Sequence, residues 1–154
     1  VVASMQPTHA TSDMPWVARR LGQARLGGGY AWRTLLEDGA ILAFGSDFPV
    51  ESSDPRKGLY AAITRQDLEG HPPGGWRPSE RLTPQQALAA FTHGAARAVG
   101  EGDELGRLAP GSWCDVTVFE RDWLAGGRPE SVVDAGLRSV IVAGEVYSSA
   151  SSGG

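Results

Sequence analysis

The 154-residue sequence holds one cysteine, Cys114, so it cannot form an internal disulfide, and a reducing cytoplasm is the expected setting. It has no run of 18 apolar residues and no charged-then-apolar leader, which excludes a membrane-spanning helix and a secretory signal within it. Basic charge is also scarce: 14 Lys and Arg against 18 Asp and Glu give a net charge of −4 and a pI near 5.3. Nothing electrostatic then favours nucleic acid or an anionic membrane as a partner. Histidine is limited to His9, His71 and His93, with no His-x-His pair. No segment repeats at a fixed period, which excludes a solenoid. By contrast, 21 Gly and 10 Pro make the chain rich in loops, while 41% hydrophobic residues suffice for a core.

The chain is organised around Ile41-Leu42-Ala43-Phe44-Gly45-Ser46-Asp47-Phe48-Pro49-Val50. The apolar start suits a strand buried on both faces, and Pro49 stops further pairing. A carboxylate directly after a buried parallel strand is where α/β enzymes place catalytic groups. Residues 1–6 read as an earlier strand, which Pro7 and the polar residues after it turn out of the sheet. Asp13 or Ser12 is expected to cap a helix beginning near Met14, and a second helix should run from about Tyr30 to Glu37. The order strand, helices, strand describes one crossover between parallel strands.

Beyond Val50 the pattern predicts a polar loop over 51–57, a helix from about Gly58 to Asp67 and a Gly/Pro loop over 68–82. Thr83, Pro84 and Gln86 form a capping box opening a helix over 83–99, whose apolar face is Ala87, Leu88, Phe91, Ala95, Ala98 and Val99. Burying Leu88 or Phe91 stabilises by roughly 1.5–3 kcal/mol each, more than a cap at about 1 kcal/mol, so packing should decide this helix. From Leu105 the texture turns to β: strands are predicted over 114–119 and 137–143, with a hairpin at Gly144-Glu145 into Val146-Tyr147. The Ser/Gly run 148–154 reads as a disordered tail.

Four of these segments together resemble the metal-dependent amidohydrolases, in particular their N-acyl and amide-hydrolysing (YtcJ-like) branch. They are Gln6-Pro7-Thr8-His9-Ala10, Tyr30-Ala31-Trp32-Arg33 with Leu35-Leu36 and Gly39, Gly45-Ser46-Asp47-Phe48-Pro49-Val50, and Thr83-Pro84-Gln85-Gln86-Ala87-Leu88. Leu105-Gly106-Arg107-Leu108-Ala109-Pro110-Gly111, with Cys114-Asp115, is similar to the start of the small β-sandwich that such enzymes carry beside their barrel. The resemblance implies an α/β fold: the last two strands and helices of a TIM-like (β/α)8 barrel over 1–100, and part of the β-sandwich over 101–147. Since Val1 to Met5 enters directly on a strand-like run with no initiator Met, the chain is expected to be the C-terminal portion of a longer protein, with an N-terminal barrel portion as its missing partner.

For the site, the resemblance implies that Asp47 touches a divalent metal, with Zn²⁺ expected, and serves as catalytic acid and base. A divalent metal lowers the pKa of bound water to about 7. The carboxylate takes the water's proton and passes it to the leaving nitrogen of a small-molecule amide. His9 is implied to contact substrate, unless it only orders its loop. Trp32 and Arg33 either line the pocket edge or belong to a packed helix with an exposed Arg. His93 is expected on the polar side of its helix, His71 in a flexible loop away from any ligand set, and Cys114 as a small buried residue inside a strand. One carboxylate cannot hold a zinc that takes three protein ligands, so the chain alone is expected to be inactive and to hold no metal. The competing reading is a non-catalytic binding or regulatory domain derived from an amidohydrolase.

Overall fold

Two short apolar runs pair first. In a computed structural model, which describes residues 1–125 and 128–148, β1 (Val2–Met5) and β2 (Ile41–Phe44) lie parallel in register, from Val2 opposite Ile41 to Met5 opposite Phe44. The two strands differ in burial. Leu42, Ala43 and Phe44 are all buried, whereas Val2 is 37% exposed. Among the described residues β1 has a neighbour on one edge only.

The crossover between them is more helical than its composition suggests. Pro7 takes the chain out of the sheet as expected, and does so at the first position of α1 (Pro7–Asp13), where a missing N–H costs nothing. The expected helix start near Met14 is therefore wrong: Asp13 ends a helix, and Met14 closes it by donating its N–H to the Ala10 carbonyl. Next come α2 (Val17–Leu21), α3 (Gln23–Leu26) and α4 (Trp32–Glu37). Gly22, at φ 74°, separates α2 from α3. Helix α5 (Pro55–Thr64) begins three residues before the expected Gly58, because Asp54 accepts the Arg56 N–H at its N-terminus and Pro55 again takes the first position.

The capping box at Thr83 and Gln86 is present in both directions and opens α6 (Pro84–Ala89). The regular periodicity beyond it fails. A π-helical turn spans Ala90–Gly94 before α7 (Ala95–Ala98) resumes. An i→i+5 turn holds one extra residue, which rotates every later side chain by about 100°. Val99 is consequently 71% exposed and Ala98 lies on the surface, while Gly94 and Ala96 take the inner face. Gly94 is needed there, since a Cβ would sit 2.0 Å from the Leu42 carbonyl oxygen.

The core gathers where α4, β2, α5 and the helix from Pro84 meet. Trp32 has no exposed surface, and its ring stands edge-on to Phe44 at 5.6 Å; Phe44 meets Phe91 at 5.5 Å. Edge-to-face pairs at such distances add roughly 0.5–1.5 kcal/mol to simple burial. Leu88 and Phe91 pack against this core but are only partly buried, so their contribution falls below the full transfer value expected above.

The C-terminal third forms an antiparallel sheet of β3 (Val116–Phe119), β4 (Leu137–Val142) and β5 (Glu145–Ser148) in that order. The hairpin turns on Ala143 (φ 51°) and Gly144 (φ 82°), with Val142 opposite Glu145, so Glu145 belongs to the strand and not to the turn. Cys114 is exposed and precedes β3, which corrects its expected place inside a buried strand. Ser148 closes β5, and the rest of the expected tail, 149–154, lies outside the described residues. Trp123, Val132 and Ala135 are buried in the same core as α5, so this third is packed against the first hundred residues.

Candidate functional site

Both residues implicated by the sequence follow the C-terminal ends of adjacent parallel strands. Asp47 comes three residues after β2, and His9 occupies the first turn of α1, four residues after β1. His9 Nε2 stands 3.7 Å from Asp47 Oδ2, beyond ordinary hydrogen-bond length. The imidazole side chain is 25% exposed and the carboxylate 52% exposed. Among the described residues His9 Nε2 is buried with no hydrogen-bond partner, a costly state unless something else meets it.

Local geometry holds both in place. Asp47 lies at φ 56°, a left-handed conformation that Asp tolerates better than most residues. Its carbonyl accepts the Val50 N–H at 2.8 Å, closing a turn, and Ser46 Oγ accepts the Phe48 N–H at 3.3 Å. Ser12, on the helix that carries His9, donates its hydroxyl to Glu51 Oε1 at 2.7 Å. Asp54 then anchors the far end of the 47–54 segment. Its carboxylate accepts from the Arg56 guanidinium at 2.7 Å, and that hydrogen bond holds it below the usual carboxylate range. Arg56 in turn donates to the Ala135 carbonyl at 3.0 Å, fastening the segment to the C-terminal third.

The other sequence candidates lie elsewhere. Trp32 is in the core and not at a pocket edge, and Arg33 pairs on the surface with Glu37 at 2.9 Å. His71 is exposed and stands 3.8 Å from Asp67. His93, expected on the polar side of its helix, is half-buried; among the described residues its Nδ1 is buried without a partner, and Gly106 packs against its backbone. Among the described residues no three His, Cys, Asp or Glu side chains form a group able to hold a metal ion.

Sequence reasoning missed a buried polar cluster centred on Arg65 and reaching the end of α1 only through Tyr30. Arg65, 1% exposed, lies with its guanidinium 4.3 Å from the Trp32 ring centre and 5.0 Å from that of Trp76. It donates to the carbonyls of Trp76 at 2.7 Å and Tyr30 at 3.0 Å. Burial, and then the nearby Arg77, lower its pKa to about 10, which leaves it charged at neutral pH. The Tyr30 hydroxyl donates to the Asp13 carboxylate at the end of α1, and burial followed by that contact raises the phenol's pKa. Glu80 accepts from the hydroxyl of Thr34 at 2.7 Å and its N–H at 3.1 Å. Burial raises the pKa of Glu80, but these hydrogen bonds and Arg77 outweigh it and hold the carboxyl below its ordinary value. A lone Arg ending an apolar helix gives no sign of this in sequence.

Comparison with known proteins follows the same outline. Residues 1–147 match the sequence model of a family described as the amidohydrolase family. The chain is 34% identical over 122 residues to YtcJ of Bacillus subtilis (strain 168), an amidohydrolase by name, covering 79% of this chain and 23% of that protein. It is 38% identical over 123 residues to the Arabidopsis thaliana protein LONG AFTER FAR-RED 3, covering 77% of this chain and 20% of the relative. Among solved structures, an uncharacterized metal-dependent hydrolase from Pyrococcus horikoshii OT3 superposes with a TM-score of 0.70 at 29% identity, over 85% of this chain and 26% of that one. The chain thus spans 20% to 26% of the length of these proteins.

Proposed function

The chain belongs to the amidohydrolase family, and on that premise we propose that it is the C-terminal part of a metal-dependent hydrolase of carbon–nitrogen bonds in small, non-peptide amides, with Asp47 as its acid and base and His9 as a substrate contact. The observation that carries this reading is the pairing of His9 Nε2 with Asp47 Oδ2 at 3.7 Å, just past the ends of parallel strands. In this reading residues 1–100 complete a barrel supplied mostly by other parts of the protein, and residues 101–147 form part of a β-sandwich. Among the described residues each of the two strands pairs on one edge only, which in this reading leaves both outer edges for the other barrel strands.

The donor set fits one edge of a metal site and not a whole one. Asp47 offers a half-exposed carboxylate as its one ligand, while His9 stands 3.7 Å from it as a substrate contact. A catalytic zinc takes three protein ligands, so the remainder must come from residues outside this chain. When bound, a divalent metal makes water a nucleophile at neutral pH. The part played by these residues is proton transfer and orientation. The ionised Asp47 carboxylate accepts the proton of the attacking water and, once protonated, gives it to the departing amine nitrogen. His9 can donate a hydrogen bond from Nε2 to the carbonyl oxygen as negative charge develops there. The Ser12 hydroxyl, on the helix that carries His9, donates to Glu51, four residues after Asp47.

The test is turnover of amide substrates by the protein containing this chain together with its remaining metal ligands, with and without Asp47→Asn. Full activity of the variant would remove Asp47 from the mechanism. The chain by itself should be inactive for want of those ligands.

A further inference from the structure

Between Asp13 and Glu37 the sequence carries no carboxylate, yet it holds Arg19, Arg20, Arg25 and Arg33 in a chain of net charge −4. The excursion from Met14 to Gly29 leaves the fold at the end of α1, one helical turn beyond His9, and returns before α4. Its stem is tied where the Tyr30 hydroxyl meets Asp13, and its return is held by Arg77, which donates to the carbonyls of Gly29 and Gly27. The excursion is thus fixed at both ends, and its stem lies one helical turn beyond His9.

At its start Trp16, Arg19 and Arg20 line a hollow of about 610 Å³. Trp16 is 41% exposed, a large aromatic left at the surface, and the Arg20 guanidinium stands over its ring at 5.9 Å. Arg25 donates to the Leu21 carbonyl and Arg33 pairs with Glu37. Arg19 and Arg20, by contrast, meet no carboxylate within ion-pair distance among the described residues. The Arg20 guanidinium against an exposed indole, with Arg19 lining the same hollow, suits a carboxylate attached to a flat apolar group: the fork of an Arg matches the two carboxylate oxygens, and the free indole surface covers the apolar part.

We propose that the Trp16–Arg19–Arg20 hollow is a specificity site that binds a carboxylate-bearing, flat apolar portion of the substrate. The role in substrate choice rests on the hydrolase reading above; the binding itself does not. It also accounts for a basic, aromatic excursion in an otherwise acidic chain.

Benzoate and its neutral counterpart benzamide are the probes, titrated into the 154-residue chain while the indole N–H resonance of Trp16 is followed by NMR, assigned through Trp16→Phe. Benzoate should shift that resonance saturably and bind at least about tenfold more tightly than benzamide, a difference of about 1.4 kcal/mol. The double variant Arg19→Gln/Arg20→Gln, altered only at exposed positions, should lose that preference, as should the native chain at high salt. Equal binding of the two probes, a preference that survives the double variant, or no saturable benzoate shift would each overturn the proposal. An inactive complete enzyme would instead overturn the hydrolase reading and leave the benzoate preference intact, so the two failures are distinguishable.

Discussion

Ser12 and Glu51 stand 39 positions apart in sequence, and the Ser12 hydroxyl donates to the Glu51 carboxylate over 2.7 Å. That bond joins the helix bearing His9 to the turn bearing Asp47. His9 Nε2 and Asp47 Oδ2, on those two segments, stand 3.7 Å apart, beyond direct hydrogen bonding.

In the complete enzyme, Asp47→Asn should lower turnover by about 10²–10⁴-fold with little change in melting temperature. Asn keeps the shape and accepts a left-handed φ but cannot carry the proton. His9→Asn should cost less, and its effect should vary with substrate. Parallel turnover and melting measurements decide between roles: a histidine that merely ordered its loop would lower stability and all activities together.

Zinc added to the 154-residue chain alone should be lost on dialysis, because one carboxylate is too few ligands. Metal content after dialysis checks this. Stoichiometric retention that disappears in Asp47→Asn would mean the ligand set is larger than described here.

Arg65→Met should destabilise the fold by about 3 kcal/mol. It removes a charged donor from two backbone carbonyls and its stacking against Trp32 and Trp76. Urea unfolding gives the value. A change within about 0.5 kcal/mol, the range usual for surface substitutions, would show that the cluster has no structural role.

Glu80 makes stability depend on pH in a stated direction. Its folded-state pKa is depressed, so its contribution is present above the unfolded carboxyl's pKa and disappears as the pH falls through the folded one. Glu80→Gln should accordingly be less stable than the native chain at neutral pH and lose less on acidification. Denaturation at neutral and acidic pH checks it, and parallel losses in both proteins would exclude Glu80 as the source.

Gly94→Ala should cost about 2–3 kcal/mol, since the new methyl would meet the Leu42 carbonyl oxygen at 2.0 Å and push the π-helical turn off β2. Thermal unfolding measures it; a neutral effect would mean that the turn moves aside without loss.

Local chemistry made much of this chain legible from its residues. The apolar run before Asp47, the capping box at Thr83 and the alternating strands near the C-terminus each carry their signal within a few neighbours, and short-range sterics and hydrogen bonds act on that scale. Where the reading failed, longer-range packing prevailed. Pro7 can begin a loop or a helix, and the contact of α1 with α5 favours the helix. The face of the helix after Phe91 depends on an extra residue in a π turn, inserted where Gly94 must touch the Leu42 carbonyl, and periodicity cannot register that contact. Nothing near Arg65 in sequence marks it as buried; Trp32, Trp76 and the Tyr30 carbonyl, as far as 35 residues away, close around it. The types of residue at His9 and Asp47 were evident in sequence, but their 3.7 Å separation arises only when β1 and β2 align in parallel register, because nothing between residues 9 and 47 sets that distance locally.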